Sequence, residues 1–280
     1  MYLIALFPLV VFGLYKNGLS IYFKNVGDFG NALKPFILLA SGLIGATAGG
    51  SLRECRKKTK VNKKFADKLK CDVVESLLVV AILPIESNPL IVFVVTAISS
   101  LFLEKIKLNK VALMYIVIEG LNVLLGLNNF NNIYEANTVL NYDGFDLFFG
   151  NGSGGIFSTN ILFITIALIF LSFNKLYKKE MVYASLITFL VLGIVPNMVS
   201  GHYELITPFI FGYNILFILV FVAPNLYSSS YTIKGQILSG ILIGILTYAL
   251  SFWTPYTSAV LAVIATSILK GILDRMFVIK

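Results

Sequence analysis

The distribution of positive charge constrains this chain more than any other feature. Residues 111–174 contain no Lys or Arg, although the chain has 22 of these residues and a net charge of +8. Most of the cations fall in four segments, at 53–70, 104–110, 175–179 and 270–280. Loops that remain in the cytoplasm keep Lys and Arg, whereas loops that cross a membrane tend to lose them. The pattern therefore predicts a membrane protein.

The composition agrees with a bilayer environment. The chain is 58% hydrophobic and only 13% charged, which is too few charges to cover the surface of a soluble domain of 280 residues. The basic charges flank apolar runs and form no polar stripe, so we expect them to meet anionic lipid headgroups and not nucleic acid. The apolar run at 2–15 lacks a preceding basic segment, and we expect it to be a first membrane helix and not a cleaved signal.

The apolar runs predict an all-α integral membrane protein with about ten transmembrane helices in a single polytopic domain, 1–280. The ten predicted spans are 2–22, 33–51, 72–87, 89–104, 110–126, 158–174, 181–197, 205–224, 235–252 and 256–273. The loop at 52–71 has nine Lys or Arg and two acids, so it is expected in the cytoplasm. Counting from it places both termini in the cytoplasm of a plasma-membrane protein and the loops 127–157 and 198–204 outside. Only the loop 16–34, with three lysines, fits this alternation poorly.

Two similar segments suggest an internal repeat. Residues 77–88 read LLVVAILPIESN and residues 218–229 read ILVFVAPNLYSS, and each is an apolar run that ends in Pro before a polar hinge. Pro84 and Pro224 lie 140 residues apart, which is half the chain. Two inverted five-helix halves, 1–126 and 158–280, joined by the extracytoplasmic loop 127–157, would produce this pattern. Chance similarity between two apolar runs is the alternative.

Small residues at helix-packing spacing occur twice, as Gly45-x-x-x-Gly49 and Gly240-x-x-x-Gly244. Such spacing lets two helix backbones approach closely. We expect packing inside one bundle, with dimerisation as the alternative.

Cys55 and Cys71 bracket the most basic segment, and cysteines in a cytoplasmic loop are expected to be reduced thiols.

One ionisable residue lies deep in a predicted span. Glu119 is near the middle of the span 110–126, with Asn122 one turn later on the same face. A charge at that depth is costly and usually faces a cavity or a partner, so an ion pathway is the functional interpretation and a hydrogen-bonded structural Glu is the alternative. Glu75 lies near a cytoplasmic end, where a solvated or paired role is expected. The single histidine, His202, has no clustered ligands, and we predict a surface residue and no metal site.

The strongest local signal is the segment LFFGNGSGGIFSTN at 147–160. Its glycines would let backbone amides approach a ligand, and Ser158 and Thr159 begin a helix, where free N–H groups favour an anion. Neighbouring phenylalanines could stack on a planar ring. A re-entrant or capping turn is the alternative to a ligand site.

This segment resembles the FLGN-PGSIGETS stretch of the RnfD/NqrB family, the membrane flavin subunits of Rnf complexes and sodium-pumping NADH:quinone reductases. The matching positions are Phe148, Gly150, Asn151, Gly154, Ile156 and Thr159. Residues 3–19 resemble the first span of the family, residues 77–95 its LLLALLLPPxxPWW hairpin, and residues 223–240 its ATDPVTSP segment. Pro255 and Asp274 match its later YPEG and LID positions.

The chain also departs from the family pattern. Ser158 and Asn225 replace an expected Glu and Asp, and the NPFNPA turn is not recognisable near 107–112. The S/T-GAT sequence whose Thr carries covalent FMN is absent from the outer loop, where Thr138 is the only threonine before the glycine turn. The resemblance therefore supports fold and complex membership better than it supports a covalent flavin.

The resemblance implies a membrane subunit of an Rnf-type ion-translocating electron transport complex. Such a subunit would relay electrons through a flavin, FMN or riboflavin, near the extracytoplasmic face. Its expected partners are other Rnf-type membrane subunits and an extracytoplasmic FMN-binding subunit. The cofactor-binding residues would be Gly150, Asn151, Gly154, Ser158, Thr159 and Thr138, and Glu119 would line an ion pathway. The alternatives are a secondary transporter or channel, with Glu119 and Asn214 lining a path, and an inactive scaffold subunit.

Overall fold

The computed structural model describes residues 1–23, 29–57, 63–102, 106–126, 144–151, 154–201, 210–211 and 213–277. Within these ranges all regular secondary structure is helical. The first helix, α1 (Tyr2–Leu14), continues through a π-helical turn (Tyr15–Leu19) into α2 (Ser20–Phe23). The next helices are α3 (Phe29–Lys57), α4 (Lys63–Ile82), α5 (Pro89–Phe102), α6 (Lys110–Leu124) and α7 (Gly144–Phe149). The others are α8 (Ile161–Ser172), α9 (Lys179–Val199), α10 (Ile215–Phe217) with a π-helical turn (Ile218–Val222), α11 (Ile233–Ser251) and α12 (Ser258–Phe277).

The helices confirm an integral membrane class. Four are long and apolar enough to cross a bilayer: Tyr2–Leu19, Phe29–Cys55, Lys179–Val199 and Ile233–Ser251. Pro89–Phe102 and Ile161–Ser172 are apolar but shorter. Each of the ten predicted spans coincides with helix, although in the span 205–224 the helical part among the described residues is limited to 210–211 and Ile215–Val222. The number of crossings stays a prediction.

The predicted cytoplasmic loop 52–71 is largely wrong as a loop. The helix α3 runs on to Lys57, and α4 already begins at Lys63. Lys, Arg and Glu are good helix formers, so the charges mark where the apolar part of each helix ends and not where the helix ends. Inside this region Arg53 lies 3.0 Å from the carboxylate of Asp72 and donates a 2.9 Å hydrogen bond to the Ser100 carbonyl. This buried ion pair ties the ends of α3, α4 and α5 together.

The two small-residue motifs pack helices inside the bundle, as predicted. A Cβ on Gly45 would lie 2.5 Å from the Phe93 carbonyl oxygen, so α3 and α5 are in backbone contact. A Cβ on Gly240 would overlap the Met181 carbonyl oxygen, which places α9 and α11 in the same relation. These two pairs are the most extensive helix contacts of the described chain.

In the chain, each of these pairs encloses a helix that ends at a polar hinge, here called an interrupted helix: α4 lies between α3 and α5, and α10 with its π-helical turn lies between α9 and α11. The helix α4 stops at the first hinge, residues 84–88, before α5 begins, and the turn Ile218–Val222 stops at the second hinge, residues 223–230, before α11. The helix α6 connects the two hinges. Its N-cap, Asn109, bonds to the second hinge, and Asn122 bonds to the first. Thirteen residues of helix separate them by about 20 Å, so the hinges lie at opposite ends of α6.

The order of contacts is the same in both parts of the chain. The helix before each interrupted helix packs on the helix after it, as α3 on α5 and α9 on α11. Between the two parts, α1 packs on α8, α4 on the π-helical turn Ile218–Val222, and α6 on α12. Elements at corresponding positions in the two predicted halves therefore meet one another.

Candidate functional site

The glycine-rich segment lies against the interrupted end of α4. The Phe157 N–H donates to the Ala81 carbonyl and the Ile156 N–H to the Leu83 carbonyl, both at 3.0 Å. The last carbonyls of a helix have no partner within the helix, and here an extended segment supplies their donors. Residues 155–158 are buried, so this connection is part of the core.

Asn214, which precedes α10, binds both the glycine-rich segment and the end of α4. Its Oδ1 accepts 2.7 Å hydrogen bonds from the Gly155 N–H and the Ser158 hydroxyl, and its Nδ2 donates to the Ile82 carbonyl at 3.2 Å. Asn214 is buried and immediately precedes α10. A side-chain amide that offers one donor and one acceptor here satisfies groups that are 56 to 132 residues away along the chain.

The first helix covers the segment from the other side. Asn17 donates a 2.7 Å hydrogen bond to the Ile156 carbonyl, and the Lys16 ammonium lies 3.3 Å from the Thr159 hydroxyl. Gly13 lies one turn earlier, and a Cβ there would overlap the Ile156 oxygen. The π-helical turn therefore brings a cation to the predicted ligand segment. Sequence reasoning missed Lys16 and Asn17, although Lys16 was among the lysines that fitted the predicted topology poorly.

The glycines of the segment serve close packing. A Cβ on Gly155 would lie 2.6 Å from the Ala81 carbonyl oxygen, and one on Gly154 would lie 2.9 Å from Asn214 Oδ1. Gly150 has a positive φ of 88°, which disfavours other residues. The N–H groups of residues 155, 156 and 157 all donate within the protein. The inner side of the segment is therefore occupied by protein, and a ligand would have to use its exposed edge.

That edge contains two of the predicted residues, Asn151 and Thr159, whereas Gly150 is buried. Gly150 follows α7, Asn151 is exposed and donates to the Asp146 carboxylate at 3.1 Å, and Thr159 is half-buried beside Lys16. Asn160 caps α8 by accepting from the Phe163 N–H, and it also donates to the Phe149 carbonyl at 2.9 Å. The other predicted residues, Gly154 and Ser158, lie on the inner side. Thr138 and His202 lie outside the described residues.

Glu119 is part of a separate polar cluster. It is 3% exposed, and the Ser87 hydroxyl of the first hinge donates to its Oε1 at 3.4 Å. Asn122 is fully buried, and its Oδ1 accepts from the Asn88 N–H at 3.5 Å. The predicted shared face of Glu119 and Asn122 is confirmed, and this face meets the first hinge.

The second hinge is held in a similar way. Asn109 donates to the Val222 carbonyl and the Ser228 hydroxyl, both at 2.8 Å, and its Oδ1 caps α6. Asp274 of α12 accepts from the Ser230 hydroxyl at 2.5 Å and from the Tyr231 N–H at 3.2 Å. Two segments that carry the family resemblance, 223–240 and the position of Asp274, thus meet in space.

The remaining candidate residues from the sequence are Glu75 and the two cysteines. Glu75 pairs with Lys110 at 3.4 Å, which is the paired one of its two predicted roles. Cys55 and Cys71 are exposed, and neither is part of a disulfide bond. Among the described residues no group of His, Cys, Asp or Glu has the arrangement of a metal site.

Comparison of the sequence with known proteins identifies a family. The family model described as the NQR2, RnfD, RnfE family matches residues 112–280, which is more than half of the chain. The chain is also 28% identical over 149 residues to a Haemophilus ducreyi protein whose name makes it part of an ion-translocating oxidoreductase complex. This match covers 50% of the chain and 42% of that relative.

Proposed function

Because the chain belongs to the NQR2, RnfD, RnfE family, we propose that it is a membrane subunit of an Rnf-type ion-translocating electron transport complex. The name of the Haemophilus ducreyi relative supports membership of an ion-translocating oxidoreductase complex. Its task in this proposal is to relay electrons through a flavin near the extracytoplasmic face. The partners are other Rnf-type membrane subunits and an extracytoplasmic FMN-binding subunit.

The observation that carries the flavin proposal is the cation at the edge of the glycine segment. Lys16 and Thr159 offer an ammonium and a hydroxyl to a phosphate, and Asn151 is exposed close to them in the chain, next to the buried Gly150. A flavin phosphate is an anion that such donors bind. The inner residues Gly154 and Ser158 have a different part in this proposal, since they fix the segment on α4. When bound, the flavin supplies one-electron and two-electron transfer.

The residues around the segment keep this edge rigid. Asn214, Asn17 and the carbonyls at the end of α4 bind the segment through five hydrogen bonds, and a sixth joins Asn214 to the Ile82 carbonyl. A cofactor held on a fixed backbone keeps a constant distance to its redox partner, which is what an electron relay requires. The proposal has two forms. In one the flavin is attached covalently through Thr138, and in the other it is bound without a covalent bond.

The hydrogen bonds at the end of α4 also help to decide whether the chain is a transporter. Two inverted halves, 1–126 and 158–280, remain our proposal for the architecture, supported by the meeting of corresponding helices. In transporters of this kind, unwound backbone carbonyls coordinate the ion. Here the carbonyls of Ala81, Ile82 and Leu83 accept hydrogen bonds from the protein, and Asn214 is fully engaged. This argues for a fixed scaffold around the first interruption and against a substrate path there.

The test is a visible spectrum of the protein purified with its partner subunits and a flavin transferase. We expect flavin absorbance in the wild type and a reduced flavin content in Lys16→Met. Lys234→Met, an exposed lysine at the start of α11, is the matched control and should retain the flavin. In-gel fluorescence of the denatured protein separates covalent from non-covalent binding. A wild-type complex without flavin would refute the proposal.

Glu119 is proposed as the coupling residue. It is a buried carboxyl in a membrane helix and lies where α6 meets the first hinge. Such residues mark ion pathways when they face a polar cluster. Glu119→Gln should keep electron transfer to the flavin and lose ion movement. Unchanged ion movement in this variant would remove Glu119 from the pathway.

A further inference from the structure

A cleft at the first hinge reaches the neighbours of Glu119. It has a volume of about 290 Å³ and is lined by Lys34, Ile37, Leu38 and residues 85–89. Two of its lining residues, Ser87 and Asn88, are the residues that bond to Glu119 and Asn122. Ser87 thus lies between the cleft and the buried carboxyl, which gives Glu119 a route to one end of α6.

The atoms that face Glu119 are hydrogen-bond donors. The Ser87 hydroxyl donates to its Oε1. The Asn88 N–H fixes the orientation of the Asn122 amide, because it donates to the Oδ1. The Nδ2 of Asn122 is a buried donor, and it belongs to the side chain one turn from Glu119.

This donor set distinguishes between two kinds of coupling ion. A hard metal cation such as Na⁺ is bound by several oxygen ligands at once. Here the Ser87 oxygen carries a proton that is donated to Glu119, and the Asn122 oxygen is engaged by the backbone. A carboxylate surrounded by donors is stabilised without a metal, and it needs only one proton to become neutral.

We propose that Glu119 is a proton-carrying residue, loaded through the first-hinge cleft and not through a sodium site. This inference rests on the proposed function, and it names the ion for the pathway assigned to Glu119. In the loading step a hydronium ion in the cleft gives one proton to the carboxylate, which leaves water and a neutral carboxyl. No electron is transferred in this step.

The other charged groups near the route are few. Glu86 and Lys34 are exposed at the cleft, and Tyr115 lies one turn before Glu119 on α6. The neighbouring helix α5 has no ionisable side chain. Lys270 of α12 bonds to the Leu226 carbonyl at the second hinge, and the Glu75–Lys110 pair lies at the beginning of α6. Both of these are at the end of α6 opposite to Glu119.

Infrared difference spectroscopy of the intact complex tests the inference. We expect a protonated carboxyl C=O band that appears as the pH is lowered, shifts in D₂O and does not change when Na⁺ is replaced by choline. The band should be lost in Glu119→Gln and kept in Glu86→Gln, a matched change of the exposed carboxyl in the same hinge. Folding of each variant is checked by its elution profile and its flavin spectrum.

Three results would overturn the inference. One is the absence of such a band from the folded wild-type complex over the accessible pH range. The second is a Glu119 band that responds to Na⁺. The third is a band that survives Glu119→Gln. Loss of the visible flavin absorbance on reduction of the same samples reports on electron transfer, so failure of the proposed redox function is recognised separately from failure of proton carriage.

Discussion

Removal of the Asn214 side chain should lower the free energy of unfolding by several times the effect of losing one hydrogen bond. Asn214→Ala deletes three buried hydrogen bonds, from Gly155, from Ser158 and to Ile82. Each hydrogen bond contributes about 0.5 to 1.5 kcal/mol in proteins, and about 0.6 kcal/mol on average in a membrane bundle. The expected loss in the free energy of unfolding is therefore about 2 to 4 kcal/mol.

The assay is reversible unfolding of the purified protein in mixed micelles, followed by circular dichroism. Asn197→Ala is the matched control, because Asn197 makes one hydrogen bond within its own helix, to Gly193 at 2.8 Å. It should lose about 1 kcal/mol or less. Equal losses in the two variants would refute the reasoning that Asn214 clamps the glycine segment to α4.

Two further changes test packing and charge. Gly155→Ala should lower the free energy of unfolding by about 1 to 3 kcal/mol, since its Cβ would meet the Ala81 carbonyl, whereas Gly120→Ala, with open space around it, should be neutral or stabilising in the same assay. Asp72→Asn should cost up to about 3 kcal/mol, because it removes the nearer of the two carboxylates beside the buried Arg53 and leaves Glu54 at 3.5 Å. A stable Asp72→Asn variant in thermal unfolding would contradict that pairing.

The sequence was sufficient for those parts of the fold that depend on local composition. Apolar runs predicted where helices lie, and the spacing of Glu119 and Asn122 predicted one shared face. The same logic failed at 52–71, because a run of charges marks the membrane boundary but does not end a helix. Helix ends beyond the bilayer depend on contacts such as the Arg53–Asp72 pair, which no local pattern reveals.

The candidate site was predictable only in outline. The glycine segment stood out in the sequence, but its partners are distant along the chain: Asn17 is 139 residues from Ile156, and Asn214 is 59 residues from Gly155. The role of Lys16 depends on the π-helical turn that rotates it toward Thr159. For the same reason the packing of Gly155 against α4 could not be distinguished from an open ligand cradle by sequence alone.

The flavin content of the purified complex tests the central claim most directly. Visible absorbance normalised to protein should show flavin bound to the wild-type chain, with less flavin in Lys16→Met and an unchanged amount in Lys234→Met. A folded wild-type complex that contains all its partner subunits but no flavin on this chain would contradict the account.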